Sequence, residues 1–493
     1  MSVRDKIARI EPFTLVAVVI ALLTAARVAA VIATPLNLGP DEAQYWSWSL
    51  TPALGYFSKP PLIAWIIGAS TAICGDGEAC IRISSPLFHA ASAIVLYFAG
   101  RAFYDARVGA WAALTYTVMP GTSFSSLLIT TDVPLLFFWS VGLLALAKLR
   151  QSSSVAWAIV LGVALGLGLL SKYAMLYFVL GAGLAFLSNV QGRRLMLSRS
   201  GWIALVVTLL VFAPNIFWNV THHFETVGHT AANANIGGEF KLSKLFEFLG
   251  AQIAIFGPVA MGLLIWGLAR GWRERDLASV DTLLLALAAP PLVIVTIEAL
   301  ISRANANWAA PAFISLAILV AAWGIKRGAS RILAANFIIN LIIAVFVMAL
   351  AVSPAVVTAL GQDNAAKRLR GWPEAGHTIT SVANTGTYSA LVSDDREDMA
   401  SLFYYARPLN VPLRMWPRAA AGNEYEAAYA LTSGESQHVL FVTRREDPSD
   451  VLKAFAHSER IATLETRLDS KRTRIFFLFV LDGPLSRSLN PQN

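Results

Sequence analysis

The 493-residue chain is 56% hydrophobic and only 14% charged, with a mean hydropathy of +0.58. Soluble domains have about 45–50% apolar and about 25% charged residues, so this composition excludes a chain that is soluble throughout. The net charge of +8 comes entirely from the hydrophobic residues 1–360, which membrane topology explains better than binding to nucleic acid does.

The N-terminal part predicts a retained membrane span. Basic residues are followed by an apolar run from about Phe13 to Pro35, which is too long for a signal-peptide core and has no small-residue cleavage site. Similar runs of roughly 20 residues predict about eleven spans in total. We expect them at 13–35, 84–101, 108–120, 131–147, 155–170, 173–188, 201–219, 246–268, 279–300, 308–325 and 331–354. The shorter run 60–73 predicts a helix lying at the membrane interface.

The distribution of basic residues predicts the orientation of these spans. With the N-terminus in the cytoplasm, the cytoplasmic segments contain 16 Lys and Arg residues, whereas the outer segments before residue 360 contain six. Cytoplasmic loops of membrane proteins carry this excess of positive charge. An odd number of spans then places the loops 36–83 and 219–245, and all of 361–493, on the outer side.

The C-terminal part changes in composition and predicts a small α/β domain. Residues 361–493 carry 16 basic and 16 acidic side chains and are neutral overall. Strand-like runs at Ile379–Val382, Val439–Thr443 and Ile475–Leu481 alternate with helix-like segments at Met399–Ala406 and Asp450–Ser458. We therefore expect a transmembrane domain at 1–358, which includes the outer loop 36–83, and an extracytoplasmic α/β domain at 359–493.

The first outer loop opens with an acidic and aromatic motif. Asp41 and Glu42 follow a proline, which favours a helix start because carboxylates are stabilised near the positive end of the helix dipole. Tyr45, Trp46 and Trp48 are amphipathic aromatics of the kind found at headgroup depth. The motif is therefore either a helix cap with an aromatic belt or a pair of functional carboxylates held at the membrane surface.

A second acidic position and a set of cations share this predicted outer side. Asp132 lies at the outer end of an apolar span, where a carboxylate is costly unless it caps the helix, is paired or is functional. The cations are Lys59, Arg82, Lys172 and Arg303. A single cation at a helix end often reaches the lipid headgroups. A set of them in the compartment of the carboxylates indicates a site for phosphate.

Two further polar features of the outer side have structural alternatives. The loop after residue 215 contains His222 and His223 close to Glu225. These residues could bind a divalent metal, but their spacing matches no standard ligand pattern, so a polar loop over the active site is favoured. The only cysteines, Cys74 and Cys80, lie on the predicted oxidising side and could form a short structural disulfide.

Taken together, these motifs resemble the GT-C glycosyltransferases of the protein O-mannosyltransferase and aminoarabinose-transferase type. The matching segments, in the same order, are Asp41–Trp48, Lys59–Leu62, Asp132–Leu135, Gly168–Met175 and Asn307–Trp308. The resemblance extends over about residues 15–325. The C-terminal domain is similar to that of bacterial members that modify lipid A or the lipopolysaccharide core.

The resemblance implies an inverting transfer of a sugar from a polyprenyl-phosphate donor to lipid A or lipopolysaccharide core. The reaction would take place on the periplasmic face of the bacterial inner membrane. The implied catalytic residues are Asp41, Glu42 and Asp132, and the implied donor-phosphate ligands are Lys59, Arg82 and Lys172. Further substrate contacts are expected from Tyr45, His222, His223, Arg303 and Asn307. Asp41 would act as the base for a hydroxyl acceptor, whereas a phosphate acceptor is already ionised and needs none. No cofactor is required by the sequence, and a divalent metal is a candidate.

Two other functions stay open as alternatives. A protein O-glycosyltransferase, or another glycan transferase, would have the same fold and a different substrate. A secondary transporter would explain the intramembrane Arg27 and Glu298. However, the sequence shows no repeat between its halves and no pair of broken helices, which transporters of this kind commonly have. Nucleic acid is not an expected partner.

Overall fold

The computed structural model of the chain describes residues 12–187, 190–234, 240–302, 304–361, 363–417, 422–469 and 471–485. Two compact units are distinguished. The helical unit comprises residues 1–33, 59–66 and 82–351, and the mixed unit comprises residues 34–58, 67–81 and 352–493. Most of the outer loop that we expected to be part of the transmembrane domain is therefore grouped with the C-terminal domain.

The helical unit consists of apolar helices, and at least one helix lies at each predicted span. Within the described residues, six are long and apolar enough to cross a membrane: Pro12–Ala33, Glu78–Phe103, Asp132–Gln151, Arg199–Thr221, Ser279–Ile301 and Ser330–Val352. Shorter apolar helices are Leu62–Cys74, Val155–Ser171, Tyr173–Leu187 and Ala312–Lys326. Further helices are Ala106–Val118, Pro120–Ser125, Val190–Met196 and Glu225–Ala234. The expected polytopic helical fold is confirmed.

The predicted span 246–268 is wrong as a single helix. The chain instead forms two helices, Leu242–Phe256 and Pro258–Glu274, whose axes differ by 104°. Gly257 between them has φ = +95°, a conformation that favours glycine, and Pro258 has no backbone N–H to continue the first helix. Counted as one span, the pair raises the number of spanning helices among the described residues to seven.

Small residues allow two helices of this unit to approach closely. Helix Val155–Ser171 packs on helix Arg199–Thr221 with Gly162 and Gly166 at the contact. A Cβ atom at position 162 would lie 2.6 Å from the carbonyl oxygen of Ala204. Small residues four positions apart are common at such interfaces, because lipid tails provide no hydrophobic driving force and close packing takes its place.

The mixed unit is built around a five-stranded sheet within the described residues, which confirms the expected small C-terminal sheet domain. Its strands are β1 (Ala390–Ser393), β2 (Leu413–Met415), β3 (His438–Thr443), β4 (Phe455–Arg467) and β5 (Thr473–Pro484), in the order β2-β1-β3-β5-β4. β1 pairs in parallel with β2 and β3, and β5 pairs antiparallel with β3 and β4. The helices of this unit include Pro40–Ser49, Pro354–Ala359, Asp363–Ala366, Trp372–Thr385, Arg396–Tyr405, Glu424–Ala428 and Ser449–Leu452.

Two predicted elements of the C-terminal domain are wrong. The run Ile379–Val382 is not a strand but part of helix Trp372–Thr385, whose buried positions recur at helical spacing and whose second residue is a proline. The helix expected at Asp450–Ser458 ends after Leu452, and β4 begins at Phe455. In both places a short apolar run is compatible with either structure, and pairing with the sheet decides the outcome.

The contact at Gly162 gives a first prediction. Gly162→Ala is expected to destabilise the protein by about 1–3 kcal/mol, because the added methyl group meets backbone atoms of the neighbouring helix. Gly183→Ala is the matched control, since a Cβ atom there would meet nothing within 4 Å. The control should be neutral or slightly stabilising, because Ala favours helix over Gly. Thermal unfolding in detergent, followed by tryptophan fluorescence, compares the variants, and equal midpoints would contradict the packing argument.

Candidate active site

In the helical unit, three separate segments bring Asp132, Lys172 and Asn307 together. Asp132 begins helix Asp132–Gln151, Lys172 directly follows helix Val155–Ser171, and Asn307 lies in a 3₁₀ turn. The Nζ atom of Lys172 lies 2.7 Å from Oδ1 of Asp132, and Nδ2 of Asn307 donates to Oδ2 at 2.6 Å. The sequence singled out all three residues, and the structure joins them in one cluster.

This cluster combines a carboxylate, a cation and fixed amide groups. The side chains of Asp132 and Lys172 are only 8% and 19% exposed. Lys172 uses one of its three N–H bonds for Asp132, so two can still contact an anion. Beside it, the hydroxyl of Tyr173 donates to Asn215 at 2.8 Å and accepts from Asn219 at 3.1 Å. These groups are suited to binding a phosphate, and Asp132 balances part of the positive charge of Lys172.

The other cations of the helical unit have different environments. Arg82 is buried at the end of Glu78–Arg82, the short helix that begins the span Glu78–Phe103. Lys59 is half-buried and lies three residues before helix Leu62–Cys74. Arg303 lies outside the described residues. Arg27 is buried and donates to the carbonyl oxygen of Thr117 at 2.5 Å and to Ser123 at 3.2 Å. Arg27 therefore ties the first helix to the segment 117–123, a structural role.

In the mixed unit, Asp41 and Glu42 begin helix Pro40–Ser49, called here the acidic-motif helix, as the sequence predicts. Glu42 is buried, and its Oε2 accepts the backbone N–H of Gly39 at 2.8 Å, which is the capping role left open by the sequence. The side chain of Asp41 is 63% exposed. Asp41 is therefore the exposed carboxylate of this pair.

The aromatic residues of the motif are buried among other side chains of the protein. Tyr45, Trp46 and Trp48 are at most 5% exposed. Trp46 meets Tyr404 edge to face, with ring centroids 4.9 Å apart, and Trp48 stacks on Tyr56 at 4.5 Å. Burial raises the pKa of Tyr56 to about 12. These rings pack in a protein core, and this packing fixes the position of the helix that carries Asp41.

Arg396 is the partner of Asp41. Its Nη2 donates to Oδ1 of Asp41 at 2.8 Å, and its Nη1 donates to the side-chain oxygen of Gln44. Asp41 and Gln44 are three residues apart and so share one face of the acidic-motif helix. Burial lowers the pKa of the Arg396 guanidinium, but the Asp41 carboxylate more than offsets this, and the net shift is upward. The arginine thus fixes the direction of the Asp41 carboxylate.

The position of Arg396 is set by the end of the parallel sheet. Arg396 begins helix Arg396–Tyr405, which follows β1, and Asp395 caps it by accepting two backbone N–H bonds at 2.9 and 3.1 Å. Arg444, just after β3, donates to Asp395 at 2.9 Å and to Asp398 at 2.8 Å. Burial raises the pKa of Asp398 to about 7, and Arg444 opposes this shift. In the sheet, β2 and β3 lie on opposite sides of β1. Where the strand order reverses in this way, α/β sheets commonly place functional groups at the carboxyl ends of the strands.

The other end of helix Arg396–Tyr405 holds the loop closed by the disulfide between Cys74 and Cys80. The hydroxyl of Tyr404 donates to the carbonyl oxygen of Asp76 at 2.6 Å, and that of Tyr405 donates to Glu78 at 2.5 Å. The hydroxyl of Tyr405 also accepts the N–H of Leu38, three residues before Asp41, at 2.6 Å. One helix of the C-terminal domain therefore orders both parts of the first outer loop.

The histidine loop shows no metal site in the described residues. His222 stacks on Trp218 with ring centroids 4.1 Å apart, and the adjacent His223 is exposed with φ = +52°. Among the residues described, no three His, Cys, Asp or Glu side chains are grouped so that they could hold a metal ion. A role of a divalent metal, and substrate contacts by these histidines, stay predictions.

Sequence reasoning missed three residues of this arrangement: Gln44, Arg396 and Arg444. Arg396 lies 355 positions from Asp41 and 352 from Gln44, and Arg444 lies 46 positions from Asp398, so no local pattern predicts these contacts. A weak signal was present in the run from Asp394 to Asp398, where acidic residues before a helix-like segment are typical of an N-cap.

Comparison with known proteins gives a consistent relationship. Residues 58–218 match the family described as dolichyl-phosphate-mannose-protein mannosyltransferase. The chain is 35% identical over 410 residues to the lipid A galacturonosyltransferase RgtD of Rhizobium johnstonii, which covers 82% of this chain and 85% of the relative. It is 27% identical over 324 residues to the undecaprenyl phosphate-alpha-4-amino-4-deoxy-L-arabinose arabinosyl transferase of Erwinia tasmaniensis, covering 61% of this chain and 56% of the relative.

A solved structure shares the fold over nearly the whole length. ArnT from Cupriavidus metallidurans bound to undecaprenyl phosphate aligns with a TM-score of 0.64 and 19% identity, covering 96% of this chain and 98% of that chain. Together with the apolar helices, these similarities identify a multi-pass membrane protein. The family match over residues 58–218 includes Lys59, Arg82, Asp132 and Lys172 and begins after the acidic-motif helix.

The pair between Asp132 and Lys172 gives a second prediction. Lys172→Met is expected to lower the free energy of unfolding by about 3 kcal/mol, because it leaves a buried carboxylate without its cation. Adding Asp132→Asn to this variant should recover a large part of the loss. Lys244→Met is the matched control, since Lys244 pairs with Glu247 on the surface and should contribute less than about 1 kcal/mol. Denaturant unfolding in detergent compares wild type with these three variants, and a double variant no more stable than Lys172→Met would contradict the coupling.

Proposed function

We propose that this chain, which belongs to the GT-C glycosyltransferases of the lipid A and lipopolysaccharide type, transfers a sugar from a polyprenyl-phosphate donor to lipid A or the lipopolysaccharide core. The observation that carries this proposal is the 35% identity to RgtD over 82% of the chain. The ArnT structure with the same fold was solved with undecaprenyl phosphate bound, which supports a donor of this kind. The multi-pass helical architecture suits a substrate whose lipid stays in the membrane.

Galacturonate is the sugar we favour, because the relative with the higher identity and coverage is a lipid A galacturonosyltransferase. Aminoarabinose is the second candidate, supported by the relative from Erwinia tasmaniensis. The two sugars differ in charge, since galacturonate carries a carboxylate and aminoarabinose an amine. A direct comparison of the two donors therefore separates the candidates.

We further propose that the chain lies in the bacterial inner membrane with its N-terminus in the cytoplasm. The excess of basic residues in the predicted cytoplasmic segments, 16 against six, supports this orientation. With this orientation, the acidic-motif helix and the sheet domain would face the periplasm. The disulfide between Cys74 and Cys80 suits that oxidising compartment.

In the proposed reaction, the bond between the sugar and the donor phosphate breaks, and the phosphate leaves with added negative charge. We assign Lys59, Arg82 and Lys172 to stabilising that charge. The two N–H bonds of Lys172 that do not contact Asp132 support its part in this role. Attack from the face opposite to the leaving phosphate would invert the configuration of the sugar carbon.

We assign Asp41 to the acceptor. For a hydroxyl acceptor, Asp41 removes the proton as the oxygen attacks the sugar carbon. For a phosphate acceptor, the oxygen is already ionised, and Asp41 orients the attacking group. The exposure of Asp41 and its fixed direction towards Arg396 support its assignment over the buried Glu42. The protein O-glycosyltransferase alternative would use Asp41 in the first of these ways.

A transfer assay gives the third prediction. Purified protein in liposomes is given radiolabelled polyprenyl-phosphate galacturonate or aminoarabinose together with lipid A or core acceptor. Asp41→Asn and Lys59→Ala are expected to lower kcat/KM by about 100-fold or more, because they remove acceptor activation and phosphate stabilisation. Asp447→Asn and Lys453→Ala, two exposed positions of the C-terminal domain, are the matched controls. If no donor is consumed with any acceptor while the liposomes transport a solute, the transporter alternative replaces the enzyme.

The contact between Arg396 and Asp41 gives the fourth prediction. Arg396→Ala is expected to lower kcat by about tenfold or more and to leave the donor KM nearly unchanged, because a misdirected Asp41 affects the chemical step rather than donor binding. Arg396→Lys should restore part of the rate. Arg414→Ala is the matched control, since it breaks a comparable ion pair with Glu435 in the same unit. Equal kinetics for Arg396→Ala and Arg414→Ala would remove the positioning role.

A further inference from the structure

A cavity of about 740 Å³ opens in the mixed unit, at the C-terminal end of helix Arg396–Tyr405. Its walls are formed by one face of helix Trp372–Thr385 and by the segment 404–408. Its volume lies within the range of small-ligand sites, about 300–1,000 Å³. Two of its lining residues, Tyr404 and Tyr405, order the first outer loop, and none is assigned to the donor or the acceptor in the reaction proposed above.

Arg407 is held in this cavity in a fixed orientation. Its guanidinium carbon lies 4.3 Å from the centre of the Trp46 ring and 4.5 Å from that of Tyr404, and its Nε donates to the carbonyl oxygen of Tyr404 at 2.6 Å. Nη1 forms an ion pair with Asp76 at 4.0 Å, a separation too long for a hydrogen bond. Within the described residues, the two terminal nitrogens of Arg407 therefore donate no hydrogen bond. A planar guanidinium held in this way is prepared for bidentate binding of a phosphate or carboxylate.

The other lining residues suit a sugar. His377 and Ser381 lie one turn apart on helix Trp372–Thr385 and face the cavity with an imidazole and a hydroxyl group. In the part of the chain that the structure describes, neither side chain makes a hydrogen bond. Tyr405 and Pro408 contribute apolar surfaces, against which a sugar ring can lie. Few convergent polar groups on an apolar wall are typical of a small-molecule site.

The cavity lies close to the helix that carries Asp41. Arg407 packs over the ring of Trp46, five residues after Asp41, and the hydroxyl of Tyr405 accepts the N–H of Leu38, three residues before Asp41. Five residues of α-helix rise about 7.5 Å, which is of the order of one sugar unit. A headgroup with its reacting atom at Asp41 can therefore place a second group in the cavity.

We propose that the Arg407 cavity is a subsite for a phosphorylated sugar of the acceptor, remote from the atom that is glycosylated. The inference rests on the proposed function, because it takes the acceptor to be a phosphorylated glycan lipid. The C-terminal part carries equal numbers of acidic and basic residues, so a general positive surface does not attract the phosphate. Recognition comes from the oriented guanidinium of Arg407, with His377 and Ser381 contacting the sugar.

The test compares Arg407→Gln with Arg460→Gln in the full-length protein. Arg460 is the matched control because it is also an exposed arginine of this unit over an aromatic ring, Phe477 at 5.7 Å, and does not line the cavity. Arg407→Gln is expected to raise the acceptor KM about tenfold, the usual effect of losing a hydrogen bond to a charged group, with kcat and the donor KM unchanged. With a dephosphorylated acceptor, wild type and Arg407→Gln should have the same acceptor KM. A fall in kcat instead would indicate that Trp46 and the acidic-motif helix have shifted, and it would overturn the subsite.

A binding measurement keeps this inference separate from the proposed function. Isothermal titration calorimetry measures the affinity of the detergent-solubilised protein for a soluble, deacylated glucosamine disaccharide phosphate. Wild type and Arg460→Gln should bind it about tenfold more tightly than Arg407→Gln, and inorganic phosphate alone should bind much more weakly than the sugar phosphate. Arginine-dependent binding without any transfer would disprove the proposed reaction and leave the subsite standing. Equal binding by all three proteins, or none, would overturn the subsite.

Discussion

The ion pair between Asp41 and Arg396 is the interaction on which the proposed chemistry of the mixed unit depends. The acidic-motif helix has only ten residues, fewer than an isolated helix needs to be stable in water. Its conformation therefore comes from its neighbours, and helix Arg396–Tyr405 supplies them along its whole length. Arg396 holds Asp41 at one end, and Tyr405 holds Leu38 at the other. The sheet domain is thus a structural support of the proposed acceptor site rather than an appendage.

The helices could be predicted from the sequence because the bilayer imposes a length and a composition that are visible locally. Where local patterns were ambiguous, the prediction failed for identifiable reasons. A glycine with positive φ before a proline bent one predicted span, and the residue pair Gly257–Pro258 was the only local signal. The run Ile379–Val382 had strand-like residues, but its burial follows the helical period of the residues before it.

The candidate site could be predicted by residue but not by arrangement. Asp41, Asp132 and Lys172 stood out because charged groups near apolar helices are costly and need a reason, and Asn307 stood out through the family resemblance. Which of them meet is decided by tertiary packing, as Lys172 and Asn307 approach Asp132 from 40 and 175 positions away. The sequence also could not separate Asp41 from Glu42. Burial and a capping hydrogen bond separate them, and both are consequences of the folded structure.

The two units divide the physical tasks of the proposed reaction. The helical unit holds charges of both signs in a buried cluster. Asp132 balances the positive charge of Lys172 when no phosphate is bound, and the cluster can still accept a phosphate. The mixed unit holds its charges on exposed side chains with directed partners, Asp41 on Arg396 and Arg407 between two rings. Burial strengthens electrostatic stabilisation of a leaving group, whereas exposure admits a large and polar acceptor.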